Sequence, residues 1–231
     1  LGFQDEIKIL LHQLKSVKQR FLTSATPLPD VPLCEYGFQQ LDFLDTRRPE
    51  LSFHKVMSPI KDKLDTLLQL LCRLGQEQTL VFCNHRESVE RVGQFLGSKG
   101  ISCSVYHGGL EQDIREKALA RFRNGSALVM VSTDLAARGL DIDGVDNVVH
   151  YHLPLKNEDV VHRNGRTARY GKSGRVFYIL HDDDVQNNTT VDLSLCAAFP
   201  LSDAVVSPAQ PRYVTIYIGK GKKDKVNKVD V

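Results

Sequence analysis

The chain has 231 residues, 42% hydrophobic and 25% charged, an ordinary globular balance that buries a core and fits one large domain or two modest ones. Thirty Lys and Arg against 28 Asp and Glu leave a formal +2, so total charge names no partner and any basic surface is local. There is no run of about 18 apolar residues, the length a membrane-spanning helix needs.

Five cysteines, an odd count with no CxxC and no Cys/His ligand spacing, argue against a disulfide framework or a zinc site and point to a reducing cytoplasm. Leu1 opens the chain with no basic-then-apolar leader, as expected of a start inside a longer protein.

The first periodic stretch is 5–20. Ile7, Leu10, Leu11 and Leu14 recur there at helical spacing, with Lys18 and Arg20 as a basic end. Phe21-Leu22-Thr23 reads as a short strand that runs into a Ser24-Ala25-Thr26-Pro27 turn. Residues 27–50 lose periodicity and carry four prolines, which predicts irregular chain ending in a linker around 45–50.

From Lys61 the pattern becomes regular. Leu64, Leu67, Leu68 and Leu71 predict a helix, 79–83 a buried strand, and 87–99 a helix with Val89, Val92 and Leu96 on one face, stopped by Gly100. A strand at 101–106 precedes a helix at 111–123 that turns Ile114, Ala118 and Phe122 inward. Strands at 127–132, 148–151 and 176–180 follow, with a helix at 157–164 between the last two. Short apolar strands alternating with amphipathic helices predict an α/β fold, a parallel sheet with helices on both faces.

Ligands of such sheets sit beyond the carboxyl ends of the strands. Asn84-His85-Arg86, His107-Gly108-Gly109 and Thr133-Asp134 each come just after a predicted strand. Residues 182–211 are polar and proline-bearing and read as a connector, and 213–218 reads as a new strand. From Arg212 to the end there are six basic and two acidic residues, a local excess that the net charge hides.

The most informative segment is His162-Arg163-Asn164-Gly165-Arg166-Thr167-Ala168-Arg169. Three arginines recur every third residue, which on a helix or tight turn puts them on one side. Guanidiniums so placed repel unless anions lie between them, and phosphate fits their planar fork. The plain alternative is a solvated basic face paired with neighbouring carboxylates. A second segment, 132–141, puts hydroxyls and a carboxylate after a buried strand, then a small-residue turn with Arg138 and Asp141. That set suits phosphate oxygens and ribose hydroxyls; the alternative is helix capping by Asp134 beside an Arg138–Asp141 ion pair. Third, Gln112 and Arg115 share a face at the head of a helix and can grip a phosphodiester, against the ordinary polarity of a helix start.

No GxxxxGK[ST] loop or GxSxG elbow is present, and the Gly/Lys-rich stretch 219–225 lacks the hydroxyl a phosphate loop uses. His150 and His152 have no third ligand and 182–184 reads as a solvated acidic cluster, so no metal site is expected.

Together these segments resemble the DEAD-box RNA helicases. Ser24-Ala25-Thr26 resembles the family's SAT motif, Leu80-Val81-Phe82-Cys83-Asn84 its motif IV, and Gln112 with Arg115 its QxxR motif. Residues 132–141 resemble motif V and 162–169 the HRxGRxxR motif VI, in the family's order. The closing VTIYIGKGKKDKVNKVDV resembles the first strand and basic turn of a DbpA-type RNA-binding domain, an RRM-like fold.

The resemblance implies a RecA-like sheet. Residues 1–48 would be the C-terminal remnant of a first RecA-like lobe and linker, 49–184 the second RecA-like domain, 185–211 a connector, and 212–231 the start of the RRM-like domain. It implies ATP hydrolysis coupled to RNA unwinding or remodelling, with ATP and Mg2+ bound mainly by a first lobe upstream of Leu1, and so no ATPase activity in this fragment alone. Arg166 and Arg169 would be catalytic arginine fingers, and His162 would link the cleft to the SAT segment. Asp141, with Gly139 and Arg138 beside it, would meet the nucleotide. Gln112, Arg115, Thr133, Gly108, Asn84 and Arg86 would hold RNA, and Ser24 and Thr26 would couple the lobes. The implied partner is structured or ribosomal RNA, met in the cytoplasm by a monomer with no membrane association.

Three positions depart from the family. Asn164 stands where Ile is frequent, Ala168 where Gly is, and Gly109 where Asp is. Two rival readings are an RNA-binding module that never hydrolyses ATP and a DNA helicase of the same superfamily. The arginine pair argues against the first, and the SAT and HRxGRxxR motifs against the second.

Overall fold

The computed structural model describes residues 4–14, 16–19, 21, 23, 39, 41, 50–137, 142, 144–169, 172–201 and 207–217. The chain divides into two compact units, Leu1–Arg48 and Pro49–Val231. In the first, α1 (Gln4–Gln13) forms from the expected apolar period but ends well before residue 20. Its Leu10 is more than half exposed, as is Leu14 just beyond it. The strand expected at 21–23 is absent at Phe21 and Thr23, and Leu22, Ser24 and Thr26 lie outside the described residues.

The second unit is the expected α/β layer structure. Its strands are β1 (Leu51–Met57), β2 (Thr79–Cys83), β3 (Cys103–Tyr106), β4 (Val129–Thr133), β5 (Asn147–His150), β6 (Gly174–Leu180) and β7 (Ala197–Ala198). They form one sheet in the order β3-β4-β2-β5-β6-β1-β7, and each neighbouring pair is parallel. The central strands are apolar on both sides because both faces are covered. Beneath one face lie α2 (Leu64–Leu74) and α3 (Arg86–Ser98), whose Leu67, Leu71, Val89 and Leu96 pack on Val81, Val131, Val149 and Phe177. On the other lie α4 (Gln112–Arg123), the short α5 (Asp134–Ala137) and α6 (Asn157–Asn164). Ala118, Phe122 and Ala137 join Leu80, Phe82, Met130, Val148 and Tyr178 there. Ile114, expected inward, is 45% exposed; α4 starts on a rim loop, so only its later turns reach the sheet.

β1 is a strand that periodicity does not announce. His54 and Lys55 break its apolar run and only Val56 is buried. Register with β6 holds it from Leu51↔Gly174 to Met57↔Leu180, and the His54 ring stacks on Phe177 at 5.1 Å. Residues 185–211 are more than a connector. After α7 (Asp182–Gln186) they make a 3-10 turn at Leu193–Leu195 and then β7, which closes the sheet against β1.

The strand expected at 213–218 does not form over the described residues 213–217. This tail crosses the amino edge of the sheet instead. Gln76 Nε2 donates to the Gln210 carbonyl at 2.6 Å. Thr215 Oγ1 lies 2.7 Å from Asn124 Nδ2 and 2.8 Å from Ser126 Oγ. Lys117 Nζ sits 4.5 Å from the Tyr217 ring centre. Residues 218–231 lie outside the described residues.

Candidate functional site

Arg163 is the organising residue of the second face. It is 1% exposed, so the expectation of three arginines on one side fails: the first is turned into the core. Its guanidinium grips the Asp134 carboxylate with both ends of its fork, Nε to Oδ1 at 2.5 Å and Nη2 to Oδ2 at 2.6 Å. Nη2 also donates to Asn84 Oδ1 at 2.8 Å and Nη1 to the His152 carbonyl at 2.7 Å. The group lies 5.2 Å from the centre of the Phe82 ring. One cation thereby ties α6 to the ends of β2, β4 and β5. A buried charge requires such complete pairing.

Two histidines complete this polar core. His150 is fully buried, its Nδ1 3.3 Å from Arg163 Nη1 and its Nε2 2.9 Å from Asn164 Oδ1. Burial first, and the Arg163 charge second, hold its pKa well below the usual value. The ring is thus neutral, accepting from Arg163 and donating to Asn164. Asn164 Nδ2 reaches on toward Tyr178 Oη at 3.4 Å. Asn164, a departure from the apolar residue frequent in the resembled family, is therefore bonded to two buried groups. His152 is pushed down to about 4, mainly by burial and then by the Lys63 charge, and its Nδ1 accepts from the Asn84 backbone N–H at 3.3 Å.

The carboxyl edge carries the loops singled out by sequence. Asn84 is half-buried and its amide also donates to the Leu153 carbonyl at 3.0 Å, so its side chain is engaged in fixing the β2 loop. Arg86 is exposed beside Glu87. Gly108 is exposed, with open space where a Cβ would stand. Gln112 is exposed and donates to Glu116 at 2.9 Å. Arg115 is half-buried, and its Nε is buried with no hydrogen-bond partner among the described residues. Thr133 ends β4, half-buried. These loops all lie beyond the strand ends, where an extended polyanion can run along the edge.

Arg166 and Arg169 come from the turn that follows α6. α6 ends at Asn164 and is closed by Gly165, so both follow the helix rather than line it. Arg166 is half-buried and Arg169 exposed, and Arg169 Nε donates to the Gly165 carbonyl at 2.6 Å. The Arg166 carbonyl receives the N–H groups of Gly144 and Val145. Ala168 between them has φ 54°, the left-handed conformation that glycine adopts without strain. His162 is half-buried and lines a small hollow with Phe82, Asp134, Ala137, Arg163 and Arg166. Arg138, Gly139 and Asp141 lie outside the described residues. No group of three or more His, Cys, Asp or Glu gathers as a metal site among the described residues, and no described helix is long and apolar enough to cross a membrane.

Known proteins share the sequence pattern and fold of this second unit. Residues 62–171 match the helicase conserved C-terminal domain. The ATP-dependent RNA helicase DbpA of Escherichia coli (strain K12) is 33% identical over 243 residues, covering 100% of this chain and 52% of the relative. This chain carries the C-terminal helicase domain of a DEAD-box protein. Eukaryotic initiation factor 4A of Drosophila melanogaster is 35% identical over 79% of the chain and 47% of its own length. Among solved structures, the C-terminal domain of the DEAD-box protein Dbp5 superposes with a TM-score of 0.54 at 28% identity, over 60% of this chain and 81% of that one. Escherichia coli SrmB, bound to regulator of ribonuclease activity A, gives 0.56 at 26% identity, over 68% of this chain and 100% of that one. The chain spans about half the length of the curated relatives it matches.

The spacing alone groups Arg163 with the two arginines that follow the helix, and it offers Asp134 either as a ligand-facing carboxylate or as a helix cap; the Asp134 carboxylate is instead bound by Arg163. The paired charge signs of Asp134 and Arg163 are the signal that was available, but only the fold brings residues 29 apart in sequence together. No motif singles out Glu90, yet its carboxylate lies 2.6 Å from His107 Nε2 beside the loop after β3.

Proposed function

We propose that this chain is part of an ATP-dependent RNA helicase that couples ATP hydrolysis to RNA remodelling, and that it supplies the second of two lobes. The observation that carries the reading is the division of labour within 162–169. Arg163 is spent on the core, while Arg166 and Arg169 follow the helix at its carboxyl end, outside the core. A guanidinium in that position suits a terminal phosphate presented by a neighbouring lobe.

In this reading residues 1–48 are the tail of the first lobe. ATP and Mg2+ would be held mainly by the first lobe, where the ion would act as a Lewis acid at the phosphates. Arg166 and Arg169 add positive charge, His162 helps orient the cleft, and Asp141 with Gly139 and Arg138 meets the ribose side. Gly108, Gln112, Arg115, Thr133 and Arg86 hold an RNA backbone, with Asn84 setting the loop they stand on. Ser24 and Thr26 couple the lobes. The basic C-terminal segment and its likeness to an RRM-like domain favour structured or ribosomal RNA as the partner; a monomer acting in the cytoplasm completes the reading.

The test is ATP hydrolysis by this chain joined to a DEAD-box first lobe. We expect RNA-stimulated turnover, lowered about 10³- to 10⁵-fold by Arg166→Ala, and no turnover by the chain alone. Turnover by the isolated chain, or none lost in Arg166→Ala, overturns the reading. RNA binding that survives without any hydrolysis in the joined protein favours the module that only binds RNA.

A further inference from the structure

The loop after β3 is held by a relay that no motif records. His107 is 6% exposed and is flanked on both ring nitrogens. Its Nδ1 receives the Gly109 backbone N–H at 3.1 Å. Its Nε2 lies 2.6 Å from Glu90 Oε1, on α3. A nitrogen that accepts an N–H carries no proton of its own, so the proton belongs on Nε2 and is donated to the carboxylate. This is the arrangement in which a carboxylate fixes the tautomer and plane of an imidazole. Glycine at 109 is part of the device. A Cβ there would stand 3.2 Å from Nδ1 and 3.3 Å from Cε1, close enough to press on the ring. With glycine, the amide closes on the ring, and Gly108 projects at the tip into open space.

We propose that Glu90 and His107 are positioning residues for RNA: the carboxylate sets the imidazole, the imidazole pins the Gly109 amide, and the pinned turn presents Gly108 to a phosphate. Neither side chain touches the nucleic acid. The inference rests on the reading above that this edge holds an RNA backbone. A turn fixed before binding does not lose its conformational freedom on binding, which is how a buried group one step removed raises affinity.

The test measures binding of a labelled single-stranded oligouridylate to the chain, together with hydrogen exchange of the Gly109 amide and a melting curve for each variant. Loss of one neutral hydrogen bond predicts about 3- to 10-fold weaker binding by His107→Ala, with the Gly109 amide exchanging faster. His107→Asn is the informative rescue. An Asn carbonyl oxygen accepts from the N–H two residues on, so this variant recovers slow exchange and most of the affinity without the link to Glu90. Glu90→Ala falls between the two. Arg115→Ala is the control for the edge itself. If Arg115→Ala weakens binding and His107→Ala does not, the relay is overturned and the RNA edge stands. If His107→Asn is as weak as His107→Ala at equal melting temperature, the accepting atom is not what matters and the relay is again overturned. If the chain does not bind the strand, or Arg115→Ala leaves binding unchanged, the RNA reading of the edge fails and the relay fails with it.

Discussion

Arg163 is the residue on which the second face depends. Its side chain is 1% exposed and Asp134 is 23% exposed in their ion pair, so the charges are largely beyond the reach of water. Truncating one partner strands the other, and that is costly where a mere contact would not be. Arg163→Ala is expected to lower unfolding stability by about 3–5 kcal/mol, read from urea denaturation. Asp134→Ala should cost a similar amount, and the double variant less than the sum of the two. Strict additivity would show that the pair is not a unit. Nothing in the spacing of the three arginines separates this one from its neighbours. The difference is one of position: residue 163 is still helical and faces Phe82, whereas residues 166 and 169 come after the helix has ended.

At the scale of elements, the turn carrying Arg166 and Arg169 is seated on the start of β6. Gly174 opens that strand, and a Cβ on it would stand 2.7 Å from the Ala168 backbone nitrogen and closer still to Thr167 Oγ1. Backbone cannot yield as a side-chain tip does. Gly174→Ala is therefore expected to cost about 1–3 kcal/mol of stability and to displace residues 167–168; an unchanged urea midpoint would contradict the contact. The elements themselves were readable where both faces of a strand are buried. β2, β4, β5 and β6 announced themselves as apolar runs, and α6 matched its expected bounds. β1 and β7 did not, because one is interrupted by His54 and Lys55 and the other is two alanines; sheet register, a long-range property, makes them strands. The reverse error at 213–217 has the same root. Alternating apolar residues look like a strand, but Val214 and Ile216 are about four-fifths exposed and find no neighbour to pair with among the described residues.

For the whole molecule, the buried histidines predict how stability responds to pH. His150 and His152 both titrate below the ordinary histidine value when folded. The unfolded chain then binds more protons than the folded one between about 4 and 6.5 for His152, and stability rises with pH across that window. Their contribution is complete above about pH 6.5 and is lost on acidification, by up to about 1.4 kcal/mol per pH unit for each ring. The melting temperature should fall between pH 7.5 and 5, and His152→Gln should flatten part of the fall. A profile flat over that range would mean these rings are not neutral and buried.

The tail has a consequence of reach. Thr215 is fastened at the amino edge and Tyr217 already lies over Lys117, partway up α4. From Lys117 to Gln112 is five helical residues, roughly 7–8 Å of axis. Two or three residues of extended chain cover that length, and the lysine-rich stretch begins at residue 219. The described tail therefore ends, at Tyr217, beside the middle of the helix whose first turn carries Gln112 and Arg115.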